Sequence, residues 1–532
     1  MFIPKFCIDN LYSHKHFIEE GIGELPTNQY GTEIAIIGAG ISGLIAAYEL
    51  KKCGVTPVIY EATNRIGGRL YSKQFSFSDS KKAKPIFAEL GAMRMPKCSE
   101  LFYYYLSKFD IKAGNIFPDP GLVDTLLALG KKSFVWRANT HLPPEIKQIS
   151  KHWEDFILPI VNSVHQKWRM GKLTEVANLW EHLQAKYKNK SFYQVLSEYT
   201  LLSEHTKYMT AFGILGIGTG GFQPIFETSF IEILRIILNT YEINQLSIPD
   251  SLESLPQKIS QEVFGCVIGN INPNLKLNCP VIEINFNHQS KNPILEYNDL
   301  LEQTKKSKEY KAIIFTGTSR CAQLIGLTSP NAQGHSMLDS SIQRALREQN
   351  LISSSKTFFC VKEKFWKTEK LPQCVISDGI NKGTYFLDYP HTNYGVICIS
   401  YTWGKDSDKI ACFDKDEVFY LFKKNLQLIS PNLTKKLIPI NNEIININWQ
   451  LEKYYHGAFK LNPPGQLEND KALYNQYKSV NSIHDTGLYL SGDGIGWSGG
   501  WVETAICTAI NASCAVLKRL GGKVKLTMEP HS

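Results

Sequence analysis

The sequence predicts a mixed α/β fold in which a parallel-sheet, nucleotide-binding unit is interleaved with a second β-sheet unit and a helical unit. Three observations predict it. A glycine-rich turn joins a short apolar strand to a helix near the start of the chain. A second strand–glycine–helix unit closes it. Between them the pattern passes from long amphipathic helices back to alternating strands. Nucleotide-type pieces thus stand at the start, the middle and the end, which implies domains that interleave.

The chain has 532 residues, and at roughly 100–200 residues per domain about three or four units are expected. Apolar residues make up 43% and charged residues 20%. This is ordinary globular usage and excludes a disordered tail, a collagen and a coiled coil. The net charge of +8, spread over this length, is not the dense basic stripe of a nucleic-acid binder. No apolar run reaches the roughly 18–20 residues of a membrane helix; Glu33–Leu50 is interrupted by Gly38, Gly40 and Gly43. Twelve scattered cysteines without a C-x-x-C point to a reducing compartment, with neither a metal site nor a disulfide framework. The opening MFIPKFCIDNLYSHKHF has no apolar core or small-residue cleavage site and reads as mature protein. The expected location is the cytoplasm. The expected partners are small molecules, not nucleic acid or membrane, and a homodimer stays open.

In chain order, residues 1–32 read as a leader packed on the surface. Ile34–Ile37 suits a strand buried on both faces. Ile41–Lys52 has helical spacing and stops at Cys53-Gly54. Val55–Tyr60 is the next strand. From about 120 to 255 the pattern is helical, clearest over Glu145–Val161 and Ser229–Asn239. Strand-like pieces return at Val281–Phe286 and Lys311–Thr316, then at Thr357–Val361 and Gly395–Tyr401, with a helix near 415–428. Strand Gly487–Ser491 and helix Val502–Leu517 close the chain. The nucleotide-binding domain is accordingly drawn from 33–90, 258–345 and 480–522. The substrate domain takes 91–115 and 346–479, and the helical domain 116–257.

Gly38-Ala39-Gly40-Ile41-Ser42-Gly43 is G-x-G-x-x-G between strand and helix, and Glu61 ends the following strand. Gly38 permits the tight turn, Gly40 lets backbone approach a pyrophosphate, and Gly43 lets the helix pack on the sheet. The free N–H groups of the helix start, at Ile41 and Ser42, suit the anion. Glu61 can accept from a ribose diol. The unit is Rossmann-like. Arg65-Ile66-Gly67-Gly68-Arg69 follows at once, after Ala62, and suits a loop closing over more phosphate, as in FAD proteins more than nicotinamide ones.

The segments EIAIIGAGISGLIAAYEL, VIYEATNRIGGRL, ELGAMRMP, GIGTGGF, SSSKTFFCVKEKFW, GAFKLNPPG and SGDGIGWSGGWVETAICTAINA together resemble the FAD-dependent amine oxidase superfamily over about 30–522. Within it the chain is similar to the L-amino-acid oxidases and, more so, to the bacterial amino-acid 2-monooxygenases. The resemblance implies non-covalent FAD, since the cysteine that tethers it in mitochondrial monoamine oxidases has no counterpart. It implies FAD contacts at Gly68, Arg69, Gly91, Ala92, Met93, Val281, Gly492, Asp493 and Val502. It makes Arg94 the grip on a substrate α-carboxylate. A guanidinium between two methionines is costly without a partner, and the residues alone leave a buried Asp or Glu as the other answer. Lys356 becomes the lysine that positions a water and assists reaction with oxygen; read alone it is a strand-end lysine reaching solvent. Gly500 and Trp501 flank the substrate amine. Trp449 and Phe459 supply an aromatic wall or simply core, Trp366 packs the core around the flavin, and Tyr389 either helps hold the carboxylate or packs. Two departures stand out: Asp250-Ser251 where relatives carry Gly-Gly, and Gly-Asp-Gly in place of Gly-Asp-Asp.

A substrate ε-ammonium would need a carboxylate in the pocket. The matching stretch, Gly220–Phe226, is apolar, with Ile225 where that acid is expected. Phe222, Ile225 and Phe226 suit an aromatic side chain, or serve only as helix-entry packing. The expected activity is oxidation of an L-amino acid, tryptophan first and phenylalanine second. The resemblance implies hydride transfer from Cα to flavin N5 and reoxidation by O2. A 2-monooxygenase would give the amide, CO2 and water. An L-amino-acid oxidase would give the 2-oxo acid, ammonia and peroxide. A polyamine or monoamine oxidase and a non-catalytic FAD-binding protein are the remaining alternatives.

Overall fold

The computed structural model of the chain describes residues 14–78, 84–199, 205–215, 223–243, 245–248, 251–265, 272–331 and 334–525. Its first sheet has five parallel strands in the order Leu488–Leu490, Ile313–Phe315, Glu33–Ile37, Thr56–Tyr60 and Leu275–Lys276. The run Ile34–Ile37 is apolar throughout because both faces are covered. Ile34 and Ile36 join one core cluster and Ala35 and Ile37 the other, as the two-residue repeat of a strand requires. On the first face the helices Ile41–Lys52 and Val502–Arg519 pack together, each burying nearly its whole length. Both therefore start at the carboxyl edge of the sheet, where open α/β sheets take their ligands. A three-stranded antiparallel sheet, Val281–Asn287, Asn292–Asp299 and Thr304–Glu309, lies beyond.

The second large sheet has seven strands: Ile444–Asn448, Ser354–Val361, Gly395–Trp403, Gly383–Leu387, Cys374–Ser377, Thr125–Leu129 and Lys132–Trp136. The alternation of side chains turns Ser354, Lys356, Phe358 and Cys360 to one face. Phe359 and Val361 go to the other, where they pack with Trp366 and Phe386. The helices Pro144–Arg169, Leu173–Tyr187 and Phe230–Leu238 cover part of the first face. A buried ionic group ties them on. Lys460 donates to Asp470 Oδ1 (3.0 Å) and the Gly496 carbonyl (3.0 Å), with Glu232 and Arg235 beside it. Buried charges persist only when paired in this way.

Three expectations need correction. Residues 125–136 fall in the stretch read as helical, yet form a hairpin in the seven-stranded sheet. Short apolar runs such as Thr125–Leu129 do not distinguish strand from helix, and pairing with Cys374–Ser377 decides it. The described part of the leader is not a surface segment. Phe17, Ile22 and Leu25 are buried, and Gly23–Glu24 pairs with Lys523–Val524. Trp366 packs in the core but does not line the cavity described below. Among the described residues no helix is long and apolar enough to cross a membrane.

Candidate active site

A cavity of about 630 Å³ extends from the glycine turn to the seven-stranded sheet. Gly38, Gly40, Ile41, Ser42, Glu61, Ala62, Gly68 and Arg69 line one end, with Val281 at its rim. The glycines there do different work. Gly38 has φ 103°, and a Cβ on it would meet Thr316 Oγ1 at 2.6 Å; one on Gly43 would meet the Gly38 carbonyl oxygen at 2.1 Å. At Gly40 an added Cβ would meet only Gly68 Cα, at 3.9 Å. The protein itself does not demand glycine at 40; the bare backbone facing the cavity does, if a ligand approaches it. Helices Ile41–Lys52 and Val502–Arg519 both start at this cavity with no side-chain cap on their first N–H groups. Two uncapped, positive helix ends suit a pyrophosphate and an electron-rich ring. Glu61 accepts from the Ala39 N–H (2.8 Å) and from Thr63 (2.9 Å), which holds its carboxylate at the strand end. The donor set fits a flavin dinucleotide.

Asp493 lines the cavity while pairing with Arg69 through both oxygens, Nη2–Oδ1 at 2.5 Å and Nη1–Oδ2 at 3.2 Å. Its Oδ2 also accepts from the Gly500 N–H (3.0 Å). Gly500, at φ 83°, leaves room for Phe459, whose Cβ a side chain would meet at 3.2 Å. Trp501 lines the cavity and stacks on Tyr241 at 4.8 Å.

At the other end stand the two cations. Lys356 is 2% exposed. It does not reach solvent, because it sits mid-strand on the face turned inward. Its Nζ donates to the carbonyls of Glu89 (3.1 Å) and Gly91 and lies 4.7 Å from the Tyr401 ring. Burial pushes its pKa down to about 7. Arg94 is also buried and lines the cavity with Gly91, Ala92 and Met93. Its Nη1 donates to Gln245 Oε1 (2.7 Å), and Asp119 Oδ1 and Glu242 Oε2 lie 3.6 and 3.9 Å away. Both answers left open for Arg94 are thus present together: buried acids beside it and an open cavity in front. Burial pushes both acids up to about 7.

The wall between the cations is aromatic. Tyr401 and Trp403 meet edge to face at 5.4 Å, and Trp403 meets Phe459 at 5.5 Å. Trp449 lines the cavity and anchors its indole N–H on the Leu90 carbonyl (2.9 Å). Ile225 lines the cavity, whereas Phe226 packs on Phe192 and Tyr193 away from it. Phe222 lies outside the described residues. Tyr389 is buried but does not line the cavity; its carbonyl accepts from Lys364 (2.8 Å). It follows the end of strand Gly383–Leu387, whereas Tyr401 pairs directly across from Lys356 and is the tyrosine beside the cations. Ser251, at the Gly-Gly departure, takes φ 84° and is held by Ser254, whose N–H and hydroxyl both donate to its carbonyl. Sequence reasoning missed Tyr401, Trp403, Asp119, Glu242 and Gln245. Only strand pairing and loop packing bring them to the site, and no local spacing signals that.

The comparisons with known proteins agree with this geometry. The flavin containing amine oxidoreductase model matches residues 41–517. A tryptophan 2-monooxygenase of Pseudomonas savastanoi is 33% identical, with 97% of this chain and 96% of that protein covered. An L-amino-acid oxidase of Crotalus adamanteus is 23% identical, with 94% and 90% covered. The solved structure of a cyclohexylamine oxidase from Brevibacterium oxydans superimposes with a TM-score of 0.67 at 15% identity, covering 92% of this chain and all (100%) of that one, and so shares its fold. A glycine cradle suited to a flavin dinucleotide, two buried cations across an aromatic cavity and a match over most of the length have one reading: the chain belongs to the flavin containing amine oxidoreductase family and is a flavin-dependent oxidoreductase.

Proposed function

We propose that this chain is an FAD-dependent L-amino-acid 2-monooxygenase. Its substrate is an aromatic L-amino acid, tryptophan first and phenylalanine second. With tryptophan, one O2 is consumed and indole-3-acetamide, CO2 and water are released. The observation that carries the reading is Arg94 and Lys356 facing one aromatic cavity that continues into the glycine cradle. The near full-length similarity to a tryptophan 2-monooxygenase supports the substrate class.

Bound flavin supplies the two-electron acceptor and the centre at which oxygen is reduced. Arg94 holds the α-carboxylate with charge-assisted bonds of about 1.5–3 kcal/mol and so fixes Cα. Gly500 and Trp501 orient the amine. Lys356 holds or releases a proton at Nζ near neutral pH. Tyr401, Trp403 and Phe459 exclude water, which favours keeping the imino acid in place for decarboxylation over its release to hydrolysis. Gly40, Gly68 and the start of helix Ile41–Lys52 would hold the FAD pyrophosphate, the start of helix Val502–Arg519 would face the flavin ring, and Glu61 and Val281 would hold the ribose and the adenine. The cofactor is non-covalent: Cys321, the cysteine lining the cavity among the described residues, donates to the Tyr454 carbonyl (2.8 Å), and burial raises its thiol pKa. A thiol already engaged in this way, with its pKa raised, offers little thiolate to react. The ten free cysteines among the described residues favour the cytoplasm.

The test is anaerobic flavin reduction with each proteinogenic L-amino acid, followed by mass analysis of the aerobic product. Fast bleaching by tryptophan and an amide product are expected. A 2-oxo acid with peroxide would make the chain an L-amino-acid oxidase, and no bleaching by any amino acid would sink the role of Arg94.

A further inference from the structure

The carboxylate clamp carries more acid than an anion site needs. Arg94 offers one positive charge, and two carboxylates already lie within 4 Å of its Nη1: Asp119 at 3.6 Å and Glu242 at 3.9 Å. Neither oxygen of Asp119, nor Oε2 of Glu242, has a hydrogen-bond partner among the described residues. The arrangement is built, not incidental. Met95 and Leu246 exchange both backbone hydrogen bonds at 2.8 Å, and the Phe117 N–H donates to the Gln245 carbonyl at 2.9 Å. These bonds lash three separate segments together around the guanidinium. Gln245 is oriented too: its Nε2 donates to the Tyr241 carbonyl (2.8 Å), so its Oε1 is the atom that meets Arg94. Glu242 lines the cavity, whereas Asp119 stands behind.

An incoming α-carboxylate would be the third anion around one guanidinium. We propose that Asp119 and Glu242 are positioning residues that compete with the substrate carboxylate for Arg94, so that binding takes up one proton onto the pair. The inference rests on the amino-acid reading above. The proton comes from solvent, one of the two carboxylates becomes a neutral carboxyl, and the substrate carboxylate stays an anion. Burial already pushes both acids to about 7, with Arg94 opposing the rise. Glu242 adds to the rise at Asp119 as a like charge, and a single proton relieves the repulsion between them. The other groups facing this cluster are Lys356, Tyr401, Tyr385 and, beside Asp119, Cys374. Burial raises both tyrosines and the thiol, so they stay neutral in this range. Lys356 is the competing titrant and needs its own control.

The experiment mixes the flavin-loaded protein with indole-3-acetate in weakly buffered solution containing a pH indicator, from about pH 6 to about pH 9. Binding is read from the flavin spectrum. Uptake approaching one proton per site is expected on the alkaline side. The Kd should be flat below about pH 7 and rise about tenfold per pH unit above it. Indole-3-acetamide, which keeps the shape without the charge, should take up none. Glu242→Gln and Asp119→Asn should each reduce the uptake, the double variant should abolish it, and Lys356→Met should keep it. The wild-type uptake itself needs no variant to fold. Binding without proton uptake, uptake surviving in the double variant, or uptake lost only in Lys356→Met would each overturn the inference alone. If neither indole ligand perturbs the flavin at any pH, the aromatic amino-acid reading falls, and the inference with it.

Discussion

The two ends of the cavity are built on opposite principles. The nucleotide end is backbone: glycines, strand ends and two helix starts, most of it within Glu33–Arg69. The substrate end is side chain: Arg94, Lys356, Tyr401, Phe459 and Trp501 come from five separate stretches. A backbone site tolerates no added atoms, so its failures should be abrupt. A side-chain site loses one interaction at a time, so its failures should be graded and separable.

The largest expected effect tests the first half of that contrast. Gly43→Val should abolish flavin binding, because even a Cβ would sit 2.1 Å from the Gly38 carbonyl oxygen. Gly40→Ala should leave the fold and melting temperature intact yet weaken flavin binding, since its Cβ meets protein only at 3.9 Å. Flavin content by absorbance and thermal melts separate the two, and equal losses of Tm would break the comparison. Next, Lys356→Met should lower turnover by about 10²–10⁴-fold with flavin content preserved, measured by oxygen consumption. Arg94→Ala should weaken tryptophan binding by about 10- to 150-fold, the equivalent of one charge-assisted contact. A variant that keeps its affinity would point to the structural role alone.

A smaller shift is expected from Ile225→Asp, on the order of tenfold in the lysine-to-tryptophan ratio of kcat/KM. An unchanged ratio would remove Ile225 from the specificity wall. The smallest effect is on stability. Glu89, Asp119 and Glu242 are raised to about 7, so the folded state keeps protons that the unfolded chain has already released. Their contribution is full below the ordinary carboxylate range and is lost as pH rises through about 7. Lys356 is lowered to about 7, so the unfolded chain holds the extra proton above that pH, and stability recovers toward the ordinary lysine range. Thermal melts should show a shallow trough near pH 7, on the order of a few °C deep, and Lys356→Met should flatten its alkaline side.

Legibility in the sequence follows the same division. Gly38, Gly40, Gly43 and Glu61 were readable because a turn, a helix start and a strand end are local, and each demands a residue type at a fixed spacing. Arg94 and Lys356 were readable only through resemblance. Read alone, each has an ordinary explanation, and the structure keeps half of the one for Arg94 by placing Asp119 and Glu242 beside it. Tyr389 is expected at the site only through the resemblance, and nothing local marks Tyr401 as the tyrosine that pairs across from Lys356. The hairpin at 125–136 was missed because a five-residue apolar run has no period long enough to choose between helix and strand.

The sequence by itself determined the nucleotide cradle, the apolar character of the cavity wall and the family of chemistry, since these depend on short-range geometry and on residue types in a fixed order. Only the tertiary structure decided which acids stand beside Arg94, which tyrosine faces Lys356 and which strands the second sheet recruits. Those depend on contacts between segments that are not neighbours along the chain, such as Arg94 with Gln245 or Cys374–Ser377 with Thr125–Leu129. Burial there turns ordinary side chains into titrating ones, and no spacing along the chain encodes it.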